Sequence, residues 1–282
     1  MSINSKSKLK VLDCTLRDGG YYNNWDFNES IVNNYLSAMS KAKVDIVEIG
    51  FRHLPQNKFL GKFAYSEDDY LNSLSLPSNI SYAVMINASD LINYEDGLEF
   101  AIKNLFSKKK DSPIDIIRIA THSSDIKECR SIAIALKNLG YRVFLNLMQI
   151  SSLDAKSIAN IVKDLKSWDC IDVFYFADSF GNMESESVSS VISTISSKWS
   201  GELGIHTHDN KNQALGNSLK AIEQGVTYVD ATILGMGRGA GNAKMETLLV
   251  EIVQRGLGEY FPDALFSLVL KEFSLLQKEY NW

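Results

Sequence analysis

The sequence predicts a single-domain (β/α)8 TIM barrel, an α/β fold, because short apolar runs alternate with amphipathic segments at an even spacing. Near-continuous apolarity, rich in Val, Ile, Phe and Tyr, is typical of parallel strands that are buried on both faces. The eight predicted strands are residues 10–16, 44–51, 80–87, 114–121, 141–148, 172–179, 203–209 and 228–235.

The segments between these runs have the apolar spacing of helices. Residues 29–42 follow the first strand, and residues 212–225 follow the seventh and end at Gly225, a common helix stop signal. The seven repeats between Asp18 and Gly235 average about 31 residues each, as an eight-unit barrel requires. A doubly wound open sheet would show the same alternation, but eight evenly spaced strands favour closure.

The domain organisation follows from the length and from the end of the sequence. A chain of 282 residues is compatible with one barrel, since α/β barrels commonly use about 250 residues as one domain. We therefore predict a catalytic barrel over residues 1–258. Residues 259–282 are predicted to form a helical extension that packs on the barrel or at a subunit interface, which is compatible with a homodimer.

Composition narrows the function classes. The formal net charge of −5 argues against nucleic-acid or anionic-membrane partners. Cys14, Cys129 and Cys170 are widely spaced and fit reduced thiols. The N-terminal ten residues are polar, unlike a secretory signal, and no apolar run approaches the roughly 20 residues that span a bilayer. We expect a cytoplasmic protein.

Polar and ionisable residues occupy the C-terminal ends of the predicted strands, where barrel active sites lie. Each buried charge costs several kcal/mol unless it is paired, so such a set indicates a functional site. Some members have a structural alternative, because Glu48, Arg118 and Asp230 can neutralise one another inside the barrel. The candidates at strands one to seven are Arg17, Asp18, Glu48, Arg52, Asn87, Thr121, His122, Asn146, Gln149, Asp178, Ser179, His206 and His208.

The pair His206 and His208 is the sharpest local signal. Residues i and i+2 of a strand point to the same face, so both imidazoles project together. Asp18, at the end of the first strand, lies near enough in an eight-stranded barrel to reach the same ion. Imidazole and carboxylate ligands suit Mn, Zn, Fe or Co. The alternative is a hydrogen-bonded core pair of histidines.

Two glycine-containing segments flank these ligands. In the first, Arg17 places a permanent cation beside the metal site, and the glycines at 19–20 allow a sharp turn. The second segment, GMGRGAGN at 235–242, departs from the dinucleotide fingerprint at Ala240. Its amides can cradle a carboxylate or phosphate. Arg238 is predicted to bind substrate, and Asn242 to bind the metal or a water.

Five motifs follow one another along the chain: LDCTLRDGG (12–20), ATHSSD (120–125), ADSFGNM (177–183), HTHDN (206–210) and GMGRGAGN (235–242). Together they resemble one known family, the DRE-TIM metallolyases, and most closely its 4-hydroxy-2-oxovalerate aldolase branch. The resemblance spans roughly residues 9–250.

This resemblance implies a divalent metal ion, Mn²⁺ or Mg²⁺ with Zn²⁺ or Co²⁺ as alternatives, and a reaction between a 2-keto acid and an aldehyde. It implies that Arg17 stabilises an enolate oxygen and that Glu48 matches a strand-two carboxylate of the family. The metal ligands that it implies are Asp18, His206, His208 and Asn242.

The sequence also departs from that branch. Tyr21 stands where the aldolase carries a catalytic His, and a phenol of ordinary pKa about 10 is a poorer base at neutral pH. His122, Tyr21 and a metal-bound water are the candidate bases. The sequence also ends before most of the region through which that aldolase docks on a dehydrogenase, which leaves substrate and channelling open.

The predicted function is metal-dependent carbon–carbon bond cleavage or formation through a pyruvate-type enolate. In this scheme Arg52, Asn146, Asp178 and Arg238 are candidate substrate-binding residues. The first alternative is a Claisen-type synthase that joins an acyl-CoA to a 2-keto acid on the same site. Others are a Schiff-base aldolase using Lys211 or Lys244, and a barrel without catalysis that serves as a binding protein.

Overall fold

The computed structural model describes residues 8–282 and shows a closed barrel of eight parallel strands in the order β1 to β8. The first seven residues, most of the segment in which no signal sequence is predicted, lie outside the described residues. The (β/α)8 prediction is confirmed. The strands are β1 (Lys10–Asp13), β2 (Ile46–Phe51), β3 (Ser81–Asn87), β4 (Ile116–Thr121), β5 (Arg142–Leu147), β6 (Val173–Asp178), β7 (Glu202–Thr207) and β8 (Tyr228–Ala231).

Helices cover the outside of the barrel. Side-chain caps begin two of them: Asn28 accepts a hydrogen bond from the Ser30 amide, and Asp154 accepts one from the Ser157 amide. The helices are α1 (Thr15–Asp18), α2 (Glu29–Ala42), α3 (Lys62–Tyr65), α4 (Asp68–Ser73), α5 (Ala88–Ile92), α6 (Leu98–Leu105), α7 (Cys129–Asn138), α8 (Ala155–Leu165), α9 (Ser185–Ser196), α10 (Ala214–Glu223), α11 (Met245–Gln254), α12 (Asp263–Leu268) and α13 (Ser274–Tyr280).

Two strands, the first and the eighth, end at least three residues earlier than the sequence predicts. The first was expected to continue to residue 16, but β1 ends at Asp13 and α1 begins at Thr15. The Asp13 carboxylate accepts a hydrogen bond from the Thr15 amide at 2.8 Å, which turns the chain out of the strand. The eighth was expected to reach residue 235, but β8 ends at Ala231 and a 3-10 turn covers Ile233–Gly235. Arg17 and Asp18 therefore lie on a helical turn.

The glycines after Asp18 serve close packing rather than the sharp turn that we expected. Gly19 has an ordinary right-handed helical conformation, with φ −70°. A Cβ on Gly20 would lie 2.0 Å from the indole of Trp25. That indole donates to the Arg17 carbonyl at 2.8 Å, so Gly20 allows Trp25 to brace the turn that carries Arg17.

The barrel interior has an apolar lower part and a charged layer nearer the C-terminal ends of the strands. Arg118, Glu48 and Asp230 form the charged layer and are all fully or almost fully buried. The buried interior cluster below it consists of Leu12, Cys14, Ile46, Ala83, Ile116, Phe144, Val173, Tyr175 and Tyr228.

The C-terminal helix α12 lies against α2. Asn34 on α2 donates to the Glu272 carboxylate at 2.8 Å, and the Phe261 amide donates to the Ala42 carbonyl. A π-helical turn, Val269–Phe273, joins α12 to α13. Among residues 8–282 no helix combines the length and the apolarity needed to cross a bilayer.

Candidate active site

The three predicted metal ligands converge at one point above the charged layer. Asp18, His206 and His208 are buried, and one potential ligand atom from each lies within 4.8 Å of the others. Asp18 Oδ2 is 3.6 Å from His206 Nε2 and 3.9 Å from His208 Nε2. Ligand bonds of about 2.0–2.2 Å to a shared cation place two ligand atoms roughly 3–4 Å apart. The spacing therefore fits a divalent cation.

Each imidazole is oriented by a hydrogen bond at its other nitrogen. His206 Nδ1 lies 3.0 Å from Asp230 Oδ2, and His208 Nδ1 lies 3.2 Å from the Gly241 carbonyl oxygen. Both partners accept, so Nδ1 carries a proton and Nε2 is the nitrogen that faces Asp18. A metal-binding histidine is typically oriented in this way.

Asn242 supplies a further observation that fits a cation. Its amide nitrogen donates to Asp18 Oδ2 at 2.6 Å, while its Oδ1 is buried and has no partner among the described residues. A buried amide oxygen without a partner is costly. Amide oxygen is a ligand that hard divalent cations accept, so the predicted fourth position remains compatible with the structure.

Arg17 lies beside this cluster and is held by two carboxylates. Its Nη1 is 2.8 Å from Asp18 Oδ1, and its Nε is 2.7 Å from Glu48 Oε2. Glu48 is fully buried and also contacts Arg118. Glu48, a predicted catalytic residue, thus contacts Arg17 and orients its guanidinium.

These contacts form a ring of buried charges, which we call the charge ring. Arg118 Nη1 is 3.1 Å from Glu48 Oε1, and its Nη2 is 2.6 Å from Asp230 Oδ2. Asp230 Oδ2 also contacts His206 Nδ1, and His206 Nε2 lies near Asp18 Oδ2. The predicted neutralisation among Glu48, Arg118 and Asp230 is confirmed, and it is part of the site. The ring runs Asp18, Arg17, Glu48, Arg118, Asp230, His206.

The pKa shifts follow the pairing in the ring. Burial raises the pKa of Asp18, but Arg17 and the two imidazoles outweigh it and hold that pKa well below its usual range. Burial lowers the pKa of His206, whereas its bonds to Asp18 and Asp230 raise it above the ordinary value. His208 lacks a second carboxylate, and burial lowers its pKa to about 4. A neutral His208 is ready to bind a metal at neutral pH.

A pocket of about 250 Å³ opens above the ring, and Arg17 belongs to both. Both apolar and polar side chains line the pocket. The predicted candidates that line it are Arg17, Tyr21, Asn87, Thr121, His122, Gln149, Ser179 and Arg238. The other lining residues are Phe51, Met85, Ser89, Ala120, Asp125 and Met148.

Tyr21 and His122, the two side-chain candidates for the base, both line this pocket but differ in their surroundings. Burial raises the pKa of Tyr21, against the opposing charge of Arg17, so the phenol holds its proton at neutral pH. The Arg238 guanidinium lies over the Tyr21 ring, 5.5 Å from its centroid. His122 lies on the exposed turn after β4. The imidazole is therefore the better candidate for proton transfer.

Arg52 and Asp178 do not reach the pocket, so the structure does not support their predicted role in substrate binding. Arg52 Nη2 lies 2.6 Å from Asp68 Oδ1, and its Nη1 donates to the Leu105 carbonyl. A bulge in β2 between Glu48 and Gly50 shifts the alternation, so Arg52 points away from the barrel interior.

Asp178 caps the loop that follows β6. Its carboxylate accepts hydrogen bonds from the amides of Asn182 and Met183. Its neighbour Ser179 lines the pocket instead. Asn146 lies on the same face of β5 as Phe144, and its Oδ1 has no partner in the part of the chain that the structure describes. Substrate binding by Asn146 stays a prediction.

Three parts of the site were not predicted as such. Asp230 and the Gly241 carbonyl orient the two imidazoles, and Tyr22 donates to the Gly237 carbonyl at 2.9 Å, which fixes the glycine loop. Asp230 was available from strand alternation, since it lies at an inward-facing position two residues after Tyr228. A backbone carbonyl carries no signal in the sequence.

Comparison with known proteins identifies the family. The HMGL-like family model matches residues 115–270, more than half of the chain. The chain belongs to the HMGL-like family. Its relatives include the 4-hydroxy-2-oxovalerate aldolase of Carboxydothermus hydrogenoformans, which is 32% identical over 254 residues, covering 88% of this chain and 72% of that protein. The predicted family resemblance is confirmed, and the chain is an enzyme, a lyase.

Solved structures agree with the fold. The N-terminal domain of a candidate aldolase from Bacteroides vulgatus is 35% identical and superposes with a TM-score of 0.84, covering 97% of this chain and 89% of that one. The HMG-CoA lyase of Bacillus subtilis is 14% identical, with a TM-score of 0.77 and coverage of 98% and 94%. At that identity the second comparison supports the fold alone.

Proposed function

We propose that this HMGL-like enzyme is a divalent-metal-dependent aldolase that makes or cleaves a carbon–carbon bond through the enolate of a 2-keto acid. The observation that carries the proposal is the convergence of Asp18, His206 and His208 beside a paired, buried Arg17. Several relatives named 4-hydroxy-2-oxovalerate aldolase support the same reaction class.

Asp18, His206 and His208 would hold the metal ion, with Asn242 Oδ1 as a fourth ligand. The ion would supply Lewis-acid polarisation of the substrate carbonyl. Mn²⁺ or Mg²⁺ is the expected ion, because the set contains oxygen ligands as well as imidazoles, and Zn²⁺ or Co²⁺ is compatible with the imidazoles.

Arg17 would stabilise the enolate oxygen. Its guanidinium is fixed by Asp18 and Glu48, so its orientation is set before substrate binds. Preorganised donors aimed at developing negative charge need little reorganisation during the reaction. In the cleavage direction the C3–C4 bond breaks, its electron pair forms the enolate, and C3 then takes up a proton.

His122 would take the proton from the C4 hydroxyl group as the bond breaks, and return it to the aldehyde oxygen in the reverse direction. It lines the same pocket as Arg17. Imidazole is the side chain most often used for proton transfer near neutral pH.

The pocket also bears on the alternatives. Its volume of about 250 Å³ suits a small keto acid and aldehyde better than an enclosed acyl-CoA, since drug-sized ligands occupy roughly 300–1,000 Å³. Lys211 pairs with Glu184 on the surface, Lys244 is exposed, and no lysine of residues 8–282 lines the pocket, so the Schiff-base alternative gains no support.

The test is the exchange of pyruvate C3 protons with deuterated solvent, followed by NMR. Exchange reports enolate formation and needs no knowledge of the second substrate. We expect exchange with added Mn²⁺ or Mg²⁺, loss with a chelator, and recovery when metal is restored. Exchange that persists in the chelated enzyme, or that never appears with any of the four metals, would reject the proposal.

A further inference from the structure

Arg238 lies on a loop segment that is packed against the metal ligands. It follows Gly237, where a Cβ would lie 2.5 Å from Asn242 Nδ2 and 3.1 Å from Asp18 Oδ2. On its other side Tyr22 donates to the Gly237 carbonyl at 2.9 Å. The backbone from which Arg238 projects is therefore fixed relative to the site, although its side chain is exposed.

The two arginines of the pocket differ in pairing. Arg17 contacts two carboxylates, but no carboxylate among residues 8–282 forms a salt bridge with Arg238. The Arg238 guanidinium lies over the Tyr21 ring, and such stacking leaves the edge of the guanidinium free to donate. Arg17 is thus already paired with carboxylates, whereas Arg238 is available to bind an anion.

The surroundings of Arg238 favour an anion. Hydrogen-bond donors from His122 and Gln149 line the same pocket, whereas Asp125 is the one carboxylate among its lining residues. Asp125 Oδ1 already accepts a hydrogen bond from Ser124 at 2.7 Å. A carboxylate or phosphate that entered the pocket would meet mainly donors.

We propose that Arg238 binds an anionic group on the half of the substrate that leaves as the aldehyde. The substrate class is then a 4-hydroxy-2-keto acid with a second anionic group, and the aldehyde is itself an anion. This inference rests on the proposed aldolase function. In that function the keto acid half faces Arg17 and the metal ligands, so the second cation faces the other half.

The test compares aldehydes that differ in charge but are matched in carbon skeleton, condensed with pyruvate. Glyoxylate and acetaldehyde form one pair, and glyceraldehyde 3-phosphate and glyceraldehyde form the other, which separates a carboxylate from a phosphate. A charge-assisted hydrogen bond is worth about 10- to 100-fold in affinity. We expect the wild type to prefer at least one anionic partner by about that factor in kcat/KM, and Arg238→Met to lose the preference.

A second readout avoids turnover. Calorimetry would compare 2-oxoglutarate with 2-oxovalerate, two five-carbon keto acids that lack the C4 hydroxyl group. We expect the wild type to bind the dianion more tightly, Arg238→Met to bind both alike, and Arg238→Lys to restore part of the difference.

The outcomes separate the two proposals. If pyruvate exchange is present but the wild type shows no preference for anions, or if Arg238→Met lowers kcat/KM equally for charged and neutral aldehydes, this inference is wrong. The second result would place Arg238 at the keto acid carboxylate. If exchange is absent with every metal, the aldolase function itself fails.

Discussion

The charge ring and the pocket rim above it differ in how their charged side chains are paired. In the charge ring every cation contacts two carboxylates, and all members are buried. At the pocket rim Arg238 has no acidic partner in the described part of the chain, and His122 is exposed. A paired, buried group has one orientation, so the ring can position atoms for catalysis. An unpaired group at the rim is free to recognise a ligand.

The largest expected effect is on the rim and tests the base. General acid–base catalysis contributes about 100- to 10,000-fold, so His122→Gln should lower the cleavage rate by a factor in that range. The pyruvate exchange rate should fall much less, because the C4 hydroxyl group is not involved. Tyr21→Phe is the matched control, since it keeps the aromatic ring under Arg238 but removes the hydroxyl group. If Tyr21→Phe is the more damaging of the two, the base is Tyr21.

Variants of Arg17 test the residue that belongs to both the charge ring and the pocket. Removing one oxyanion donor costs about 100- to 1,000-fold, so Arg17→Met should lower pyruvate exchange by that factor at saturating Mn²⁺. Arg17→Lys keeps the charge that Asp18 and Glu48 require, and it controls for unfolding, which circular dichroism would detect. Near-normal exchange in a folded Arg17→Met variant would remove Arg17 from the mechanism.

A variant of Arg118 tests the part of the charge ring that does not line the pocket. It contacts Glu48, which orients Arg17, and Asp230, which orients His206. Groups that orient the ligands of a metal site without touching the ion typically contribute about 10- to 100-fold to metal affinity or activity. Arg118→Lys should therefore weaken both Mn²⁺ binding and exchange at saturating Mn²⁺.

Two further variants separate these effects. Asp230→Asn should mainly weaken Mn²⁺ binding, measured by titration with electron paramagnetic resonance detection. Glu48→Gln should mainly lower exchange at saturating Mn²⁺. Equal effects of both variants on both quantities would show that the ring is only a structural element.

The smallest effect concerns Asp13, a buried carboxylate outside the ring. It accepts hydrogen bonds from Tyr35 and Thr15 but contacts no cation among residues 8–282, and burial raises its pKa to about 7. The folded state therefore keeps a proton that the unfolded state has lost, so its contribution to stability falls as pH rises from about 4 to about 7.

Asp13→Asn removes this titration and keeps an acceptor oxygen. Relative to wild type, the variant should gain about 3 kcal/mol in the free energy of unfolding between pH 5 and pH 8. Urea unfolding at both pH values would measure it. A difference that is constant with pH would contradict the raised pKa of Asp13.

The sequence predicted the barrel, and it placed the two histidines of the candidate metal site together, because both predictions depend on periodic patterns. Buried parallel strands appear as apolar runs, and His206 and His208 share a face through the two-residue period of a strand. The ends of β1 and β8 were wrong because apolar residues continue past each strand into a turn. Arg52 lies away from the pocket for a related reason: a bulge in β2 reverses the alternation, and nothing in the local sequence predicts that bulge.

The central claim is that Asp18, His206 and His208 bind one divalent cation, and anomalous diffraction from crystals soaked in Mn²⁺ tests it most directly. We predict a single strong peak about 2.0–2.2 Å from Asp18 Oδ2 and from both Nε2 atoms, at the ligand distances usual for such ions. Density showing the two imidazoles joined to Asp18 by hydrogen bonds, with the manganese peak elsewhere or absent, would contradict the account.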